Sequence, residues 1–149
     1  MLTQTLLKIS CRLRLESYRT LFAAIRERGG SLSATEAFSA DIIHLLGEPT
    51  LGQFADTIGI SQPNATYKVS NLVTKGYVEK LAGEDRREVR LHTCGKFDSY
   101  YDEGQGLLEK AMNSLQDRFS PEELNTASAV VDALLRAMEQ KGASVYGSV

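Results

Sequence analysis

The chain has 149 residues, within the roughly 100 to 200 of one ordinary domain, so two independent enzyme domains are excluded. Apolar residues make up 42%, charged residues 24% and prolines only 3, which excludes a disordered or low-complexity chain and fits a helix-rich globular one. The net charge of −2 is unevenly spread, with balances of 0 over residues 1–60, +3 over 61–97 and −5 over 98–149, so a polyanion would be met by the middle segment.

Leu2, Leu6, Leu7, Ile9, Leu13, Tyr18, Leu21, Phe22 and Ile25 recur mostly three and four apart, which predicts an amphipathic helix over the first 28 residues, stopped by Gly29-Gly30. The same stretch carries Arg and Lys where a secretory signal needs an apolar centre, and no apolar run reaches 18 residues. The expected location is cytoplasmic, with no membrane partner. Ser33-Ala34-Thr35-Glu36 is a capping box opening a second helix over about 34–46, broken at Glu48-Pro49. Thr50-Leu51-Gly52-Gln53 is another box, opening a short helix with Leu51, Phe54, Ala55 and Ile58 on one face and Gly59 at its end.

Ser61 is the next N-cap and Pro63 sits in the first turn, where its missing N–H costs nothing. Ala65, Val69, Leu72 and Val73 are expected inward on this fourth helix, which Gly76 ends. Residues 77–81 and 88–92 read as the strands of a β-hairpin joined by the polar run Gly83 to Arg87. From Cys94 to Phe119 the apolar pattern predicts one long helical face, and Ser120-Pro121-Glu122-Glu123 opens a last helix with Leu124, Val130, Val131, Leu134, Leu135 and Met138 inward.

The expected fold class is therefore mainly α with a small β-hairpin: a winged helix-turn-helix flanked by long terminal helices. Within a single domain over 1–149, residues 31–97 form the DNA-binding lobe, 1–28 and 98–141 the helical dimerisation region, and 142–149 a flexible tail. A short helix, a turn containing Gly59 and a second helix make a helix-turn-helix, whose second helix enters the DNA major groove. Gln62, Asn64, Thr66, Tyr67, Lys68, Ser70, Asn71 and Lys75 cover the face left outside. Asn and Gln pair bidentately with adenine, and Lys meets guanine or phosphate. Ser61 and Gln62 stand at a helix N-terminus whose free N–H groups suit a phosphate.

At this point the sequence resembles the MarR family of winged-helix transcription regulators over about Ser31 to Leu115. The residues that carry the likeness are Leu51 to Ser61, Asn71 to Val78, and Asp85-Arg86-Arg87-Glu88-Val89-Arg90-Leu91, which fits the family's Asp-x-Arg-x-x-Arg wing pattern. The resemblance implies that Arg87 reaches the minor groove, that Asp85 holds the wing loop, and that Arg86 and Arg90 contact the DNA backbone or brace the wing. It also implies a small aromatic effector, for which Tyr100 and Tyr101 are candidate lining residues, although their helical spacing with Phe97 reads first as packing. Where the family has Leu-Thr after the second wing strand, this chain has Thr93-Cys94, so a thiol replaces the usual hydroxyl cap.

The expected function is a DNA-binding transcriptional regulator: a homodimeric repressor of a pseudo-palindromic operator on double-stranded DNA, released by a small molecule. Two alternatives stay open, a thiol-based redox-sensing regulator using Cys11 or Cys94 and a winged-helix protein-protein adaptor. Cys11 and Cys94 form no CxxC pair, and His44 and His92 stand apart from other ligand residues, so neither a metal nor a cofactor is indicated. With no clustered nucleophile and base and no phosphate-cradling glycine loop, an enzyme is not expected.

Overall fold

The computed structural model of the chain describes residues 1–27, 32–83, 85, 88–98 and 101–146. The expected stop at Gly29-Gly30, the wing-tip residues Glu84, Arg86 and Arg87, and Tyr100 lie outside the described residues, as does the side chain of Tyr101. The order of elements is α1 (Leu2–Glu27), α2 (Ala34–Leu46), α3 (Leu51–Ile58), α4 (Gln62–Thr74), β1 (Val78–Ala82), β2 (Val89–Thr93), α5 (Gly95–Asp98), α6 (Tyr101–Asn113) and α7 (Pro121–Tyr146). The strands pair antiparallel, with Val78 opposite Thr93 and Ala82 opposite Val89. The architecture is thus mainly helical with a two-stranded hairpin and long terminal helices.

Local chemistry explains the starts of the helices. Ser33 and Glu36 exchange backbone-to-side-chain bonds of 3.2 and 2.8 Å, and Thr50 and Gln53 do the same at 3.1 and 2.9 Å. Ser120 and Glu123 repeat the arrangement before α7. Each such box satisfies two of the N–H groups that a helix start leaves orphaned, and loss of the hydroxyl costs about 1 kcal/mol.

The ends are equally local. Gly59 has φ 67°, its N–H donates to the Asp56 carbonyl at 3.3 Å and the Ile60 N–H donates to Ala55 at 3.0 Å, which is the Schellman closure. Gly76, at φ 75°, closes α4 the same way: its own N–H bonds Val73 and the Tyr77 N–H bonds Leu72, both at 3.0 Å. That use of the Tyr77 N–H is why β1 begins at Val78, one residue later than the pattern of alternation predicts.

Two compact units divide the chain, residues 1–105 and 106–149. The core of the first is built from Leu21 of α1, Ala37, Ala40 and Ile43 of α2, Phe54 and Ala55 of α3, and Ala65, Val69 and Leu72 of α4, closed by Tyr77, Val78, Leu91 and Phe97. Truncating Phe54, which is fully buried, to Ala would cost about 3 to 5 kcal/mol in transfer and cavity terms. Val73, expected inward, is 36% exposed because Ala65, Val69 and Leu72 already define the buried face of α4.

Of the helix expected from Cys94 to Phe119, the described residues show α5 and α6 on either side of residues 99 and 100, which lie outside them, and a run of turns after Asn113 where the helix was expected to continue. Asn113 and Ser114 are residues whose side chains compete with the helical ladder, and the Ser114 hydroxyl donates to the Ala111 carbonyl at 2.6 Å. Leu115 and Gln116 then bond back to Met112 and Asn113 in tighter turns. In the second unit α7 runs to Tyr146, so residues 142–146, expected in a flexible tail, continue the helix, and Val130, Val131, Leu134, Leu135 and Met138, expected inward, are exposed because no described element of this unit covers them. In the first unit α1 exposes Leu2, Leu7, Ile9, Leu15, Tyr18 and Phe22, with Tyr18 edge-on to Phe38 at 6.0 Å.

Candidate nucleic-acid interface

The surface of α4 is set by what its buried face leaves over. Ala65, Val69 and Leu72 are fully buried, so Gln62, Asn64, Thr66, Tyr67 and Ser70 are turned to solvent, and Tyr67 is 70% exposed despite its large apolar ring. A phenol left this exposed, beside amides of the kind able to pair with base edges, suits a surface built for a polar partner. Ser61 caps the helix by accepting the Asn64 N–H at 3.4 Å, which fixes its own hydroxyl and leaves the Asn64 side chain outward. The Thr66 hydroxyl donates back to the Gln62 carbonyl at 2.9 Å and keeps acceptor capacity for a partner.

Lys68 and Asn71 are half-buried and line, with Tyr67, a cleft of about 240 Å³ whose far wall is Ser33, Thr35, Glu36 and Ser39 at the start of α2. Lys75, singled out in the sequence as an outward cation, is drawn to the opposite wall: its Nζ donates to both Glu36 carboxylate oxygens at 2.9 and 2.8 Å. Burial would raise the Glu36 carboxyl, but bonds from Lys75 and Ser33, with the charge of Lys75, outweigh it and hold the group below the usual carboxylate range. Lys96 continues the chain of contacts, donating to the Lys75 carbonyl at 3.0 Å while lying 4.4 Å over the Tyr77 ring. Glu36, read in the sequence only as the acid of a capping box, therefore also ties α2 to the end of α4.

The hairpin is tied down at its root. The Arg90 guanidinium donates to the Glu48 carbonyl at 3.2 Å and to a Glu88 carboxylate oxygen at 3.1 Å, and the Leu91 N–H donates to the Pro49 carbonyl at 2.9 Å. Asp85 is exposed, and its carbonyl accepts the Glu88 N–H at 2.8 Å. Arg90 thus has the geometry of a wing brace, while Arg86 and Arg87 lie outside the described residues. No motif announced Glu48 or His92, whose imidazole stands 3.2 Å from the Glu48 carboxylate.

Residues 32–89 match the family model described as MarR family. The matched segment spans α2, α3, α4 and β1 and takes in Ser61 to Lys75 and Asp85, while Arg90 falls just beyond it. A transcriptional regulator of Thermotoga maritima shares the fold with a TM-score of 0.57 at 17% identity, over 94% of this chain and 96% of its own. A MepR mutant from a multidrug-resistant S. aureus clinical isolate does so with a TM-score of 0.59 at 13% identity, over 93% and 97%. Streptococcus pneumoniae FabT, solved in complex with DNA, gives 0.51 at 22% identity, over 93% and 96%. At these identities the likeness is one of fold, the winged helix-turn-helix. No curated protein sequence matches the chain.

The remaining sequence candidates sit elsewhere. Cys11 is exposed on α1, and Arg14, one turn on, points its guanidinium at the sulfur at 4.0 Å, a contact that spacing alone did not establish. Cys94 is half-buried where β2 passes into α5; its N–H donates to the Tyr77 carbonyl at 3.0 Å and its carbonyl accepts from Phe97 at 2.7 Å. His44 Nδ1 lies 3.1 Å from the Thr93 hydroxyl. Among the described residues no three metal-ligating side chains converge, and no helix is long and apolar enough to cross a membrane.

Proposed function

We propose that the protein is a DNA-binding transcriptional regulator, not an enzyme, that works in the cytoplasm as a homodimeric repressor on a pseudo-palindromic operator and is released by a small aromatic effector. The observation that carries the reading is the outward polar face of α4, Gln62, Asn64, Thr66, Tyr67, Lys68 and Asn71, within a MarR-family domain. In this reading Ser61 and Gln62 meet a phosphate at the helix N-terminus, Asn64 and Thr66 read base edges, and Lys68 and Lys75 meet phosphate, Lys75 sharing its ammonium with Glu36. Arg87 enters the minor groove, Asp85 holds the wing loop, and Arg86 and Arg90 steady the wing. The FabT structure in complex with DNA supports the same use of the fold.

Dimerisation is supported separately in each unit by exposed apolar residues that water disfavours, Leu2, Leu7 and Leu15 on α1 and Val131, Leu135 and Met138 on α7. A two-fold dimer would space two α4 helices about 34 Å apart, one turn of DNA. The effector would act only through its different affinity for the DNA-competent and incompetent shapes.

The test is retention of a random-sequence duplex at low salt, with affinity falling linearly in log salt. A chain that binds no duplex under those conditions is not a DNA-binding regulator, and the adaptor reading takes its place. The Arg14 contact to Cys11 favours a second reading, in which peroxide oxidises the thiol to a sulfenic acid and is itself reduced to water. Peroxide should then release DNA from the parent and not from Cys11→Ser; loss of the response in Cys94→Ser alone would move the reactive thiol to Cys94, and an unresponsive parent removes the reading.

A further inference from the structure

The root of the wing holds a carboxylate–imidazole contact, Glu48 with His92, that the DNA-binding reading leaves unused. The turn between α2 and α3 carries Glu48 at φ 57°, the one non-glycine residue in the left-handed region among the described residues. An L side chain disfavours that conformation, and Gly47 beside it, at φ 64°, adopts it without one. At Glu48 the side chain present in this disfavoured place has a partner. The backbone turn aims the Glu48 carbonyl at Arg90, at 3.2 Å, and sets its carboxylate 3.2 Å from His92 Nδ1. The neighbouring bonds, Leu91 N–H to Pro49 and His44 to Thr93, run along the same strand. A cleft of about 220 Å³ lined by Ile43, His44, Gly47, Glu48, His92 and Thr93 opens this seam to water.

The geometry points to Glu48 as a positioning residue that sets the attitude of the wing toward DNA, through an ion pair with His92 that forms when the imidazole takes up a proton. The inference rests on the DNA-binding reading. Among the described residues, the charged or titratable groups around His92 are Glu48 from the turn, Glu79 directly opposite it on β1, Arg90 with its partner Glu88 on β2, and His44 on α2, which lines the same cleft. The Arg90 charge is already met by Glu88, so Glu48 and Glu79 are the carboxylates an imidazolium at 92 would answer. With the imidazole protonated the contact is an ion pair and the seam is tighter; with it neutral the seam is looser. A wing held more firmly loses less freedom when DNA orders it, and affinity rises.

The experiment measures the affinity of the full chain for a random-sequence duplex at about pH 8 and about pH 6. The parent should gain up to about fivefold at the lower pH, the range of an exposed ion pair, and both Glu48→Gln and His92→Gln should lose that gain. A parent with no gain overturns the proposal. So does a gain that survives in Glu48→Gln but not in His92→Gln, since the imidazolium would then act through Glu79 or on phosphate directly, or one that survives in His92→Gln, which would assign it to His44. A second measurement needs no DNA: a double-mutant cycle on thermal unfolding should couple Glu48 and His92 at the lower pH and leave them uncoupled at the higher. Absent coupling sinks the ion pair itself. Coupling without any duplex binding by the parent leaves the pair standing and rejects the DNA-binding reading, and with it the positioning role.

Discussion

Replacing Gly59 by Ala tests whether the turn between α3 and α4 is held by backbone conformation alone. Gly59 has φ 67°, and a Cβ built on it meets no heavy atom within 4 Å, so the substitution introduces no clash. The cost is then the intrinsic penalty of an L-residue in the left-handed region, about 1 to 2 kcal/mol. Against it stands the roughly 0.4 to 1 kcal/mol by which losing a glycine restricts the unfolded chain. A net loss of about 1 kcal/mol remains, which for a chain of this size lowers Tm by about 2 to 4 °C. Urea unfolding at fixed protein concentration should show a lower midpoint with an unchanged slope, and Gly59→Asn should lose less because asparagine tolerates this conformation. The Schellman bonds of Gly59 and Ile60 use backbone atoms only, so duplex binding by the folded variant should persist. An alanine variant as stable as the parent, or one weaker by more than about 3 kcal/mol, would refute the reasoning: the first denies the conformational penalty and the second requires a clash.

Glu36→Gln should lower stability at neutral pH by about 1 kcal/mol through its loss of the Lys75 pair. Because the folded chain binds this proton more weakly than the unfolded one, the difference should be full above the ordinary glutamate value of about 4.3 and fade as pH falls through the lower folded value, as urea midpoints across pH would show. Asp41 has the opposite sign: burial raises its carboxyl, only partly opposed by His44, so its charge weakens the fold at neutral pH. Asp41→Asn should therefore raise Tm near pH 7, with the advantage vanishing below about pH 3.9, where both folded and unfolded parent are protonated; a destabilised Asn variant would deny this. Arg87→Ala should lower operator affinity by about 1 to 3 kcal/mol with dimerisation intact, and unchanged binding would end its groove role. Lys68→Ala should weaken all duplexes alike and reduce the slope of log affinity against log salt by about 0.9, whereas an altered base preference would reassign Lys68 to base reading.

How much of this was legible depended on how far apart the cooperating residues stand. The helix starts at Ser33, Thr50, Ser61 and Ser120 and the closures at Gly59 and Gly76 each involve residues within a turn or two, so residue type and spacing sufficed to locate them. The Glu36–Lys75 pair joins positions 39 apart and the Arg90–Glu48 bond positions 42 apart, and no periodicity records such meetings. The long helix expected after Cys94 failed for a related reason: an apolar period reports a face, while the break after Asn113 comes from side chains that compete for the backbone.

The amino-acid order by itself determined the helix-turn-helix with its hairpin, because caps, glycine closures and apolar period are short-range and nearly additive. Tertiary structure alone decided what the charged side chains do. It turned Lys75 toward Glu36, made Arg90 a brace, and set His92 against Glu48, because the strength of a charge contact depends on distances and solvent exposure that exist only once remote segments meet.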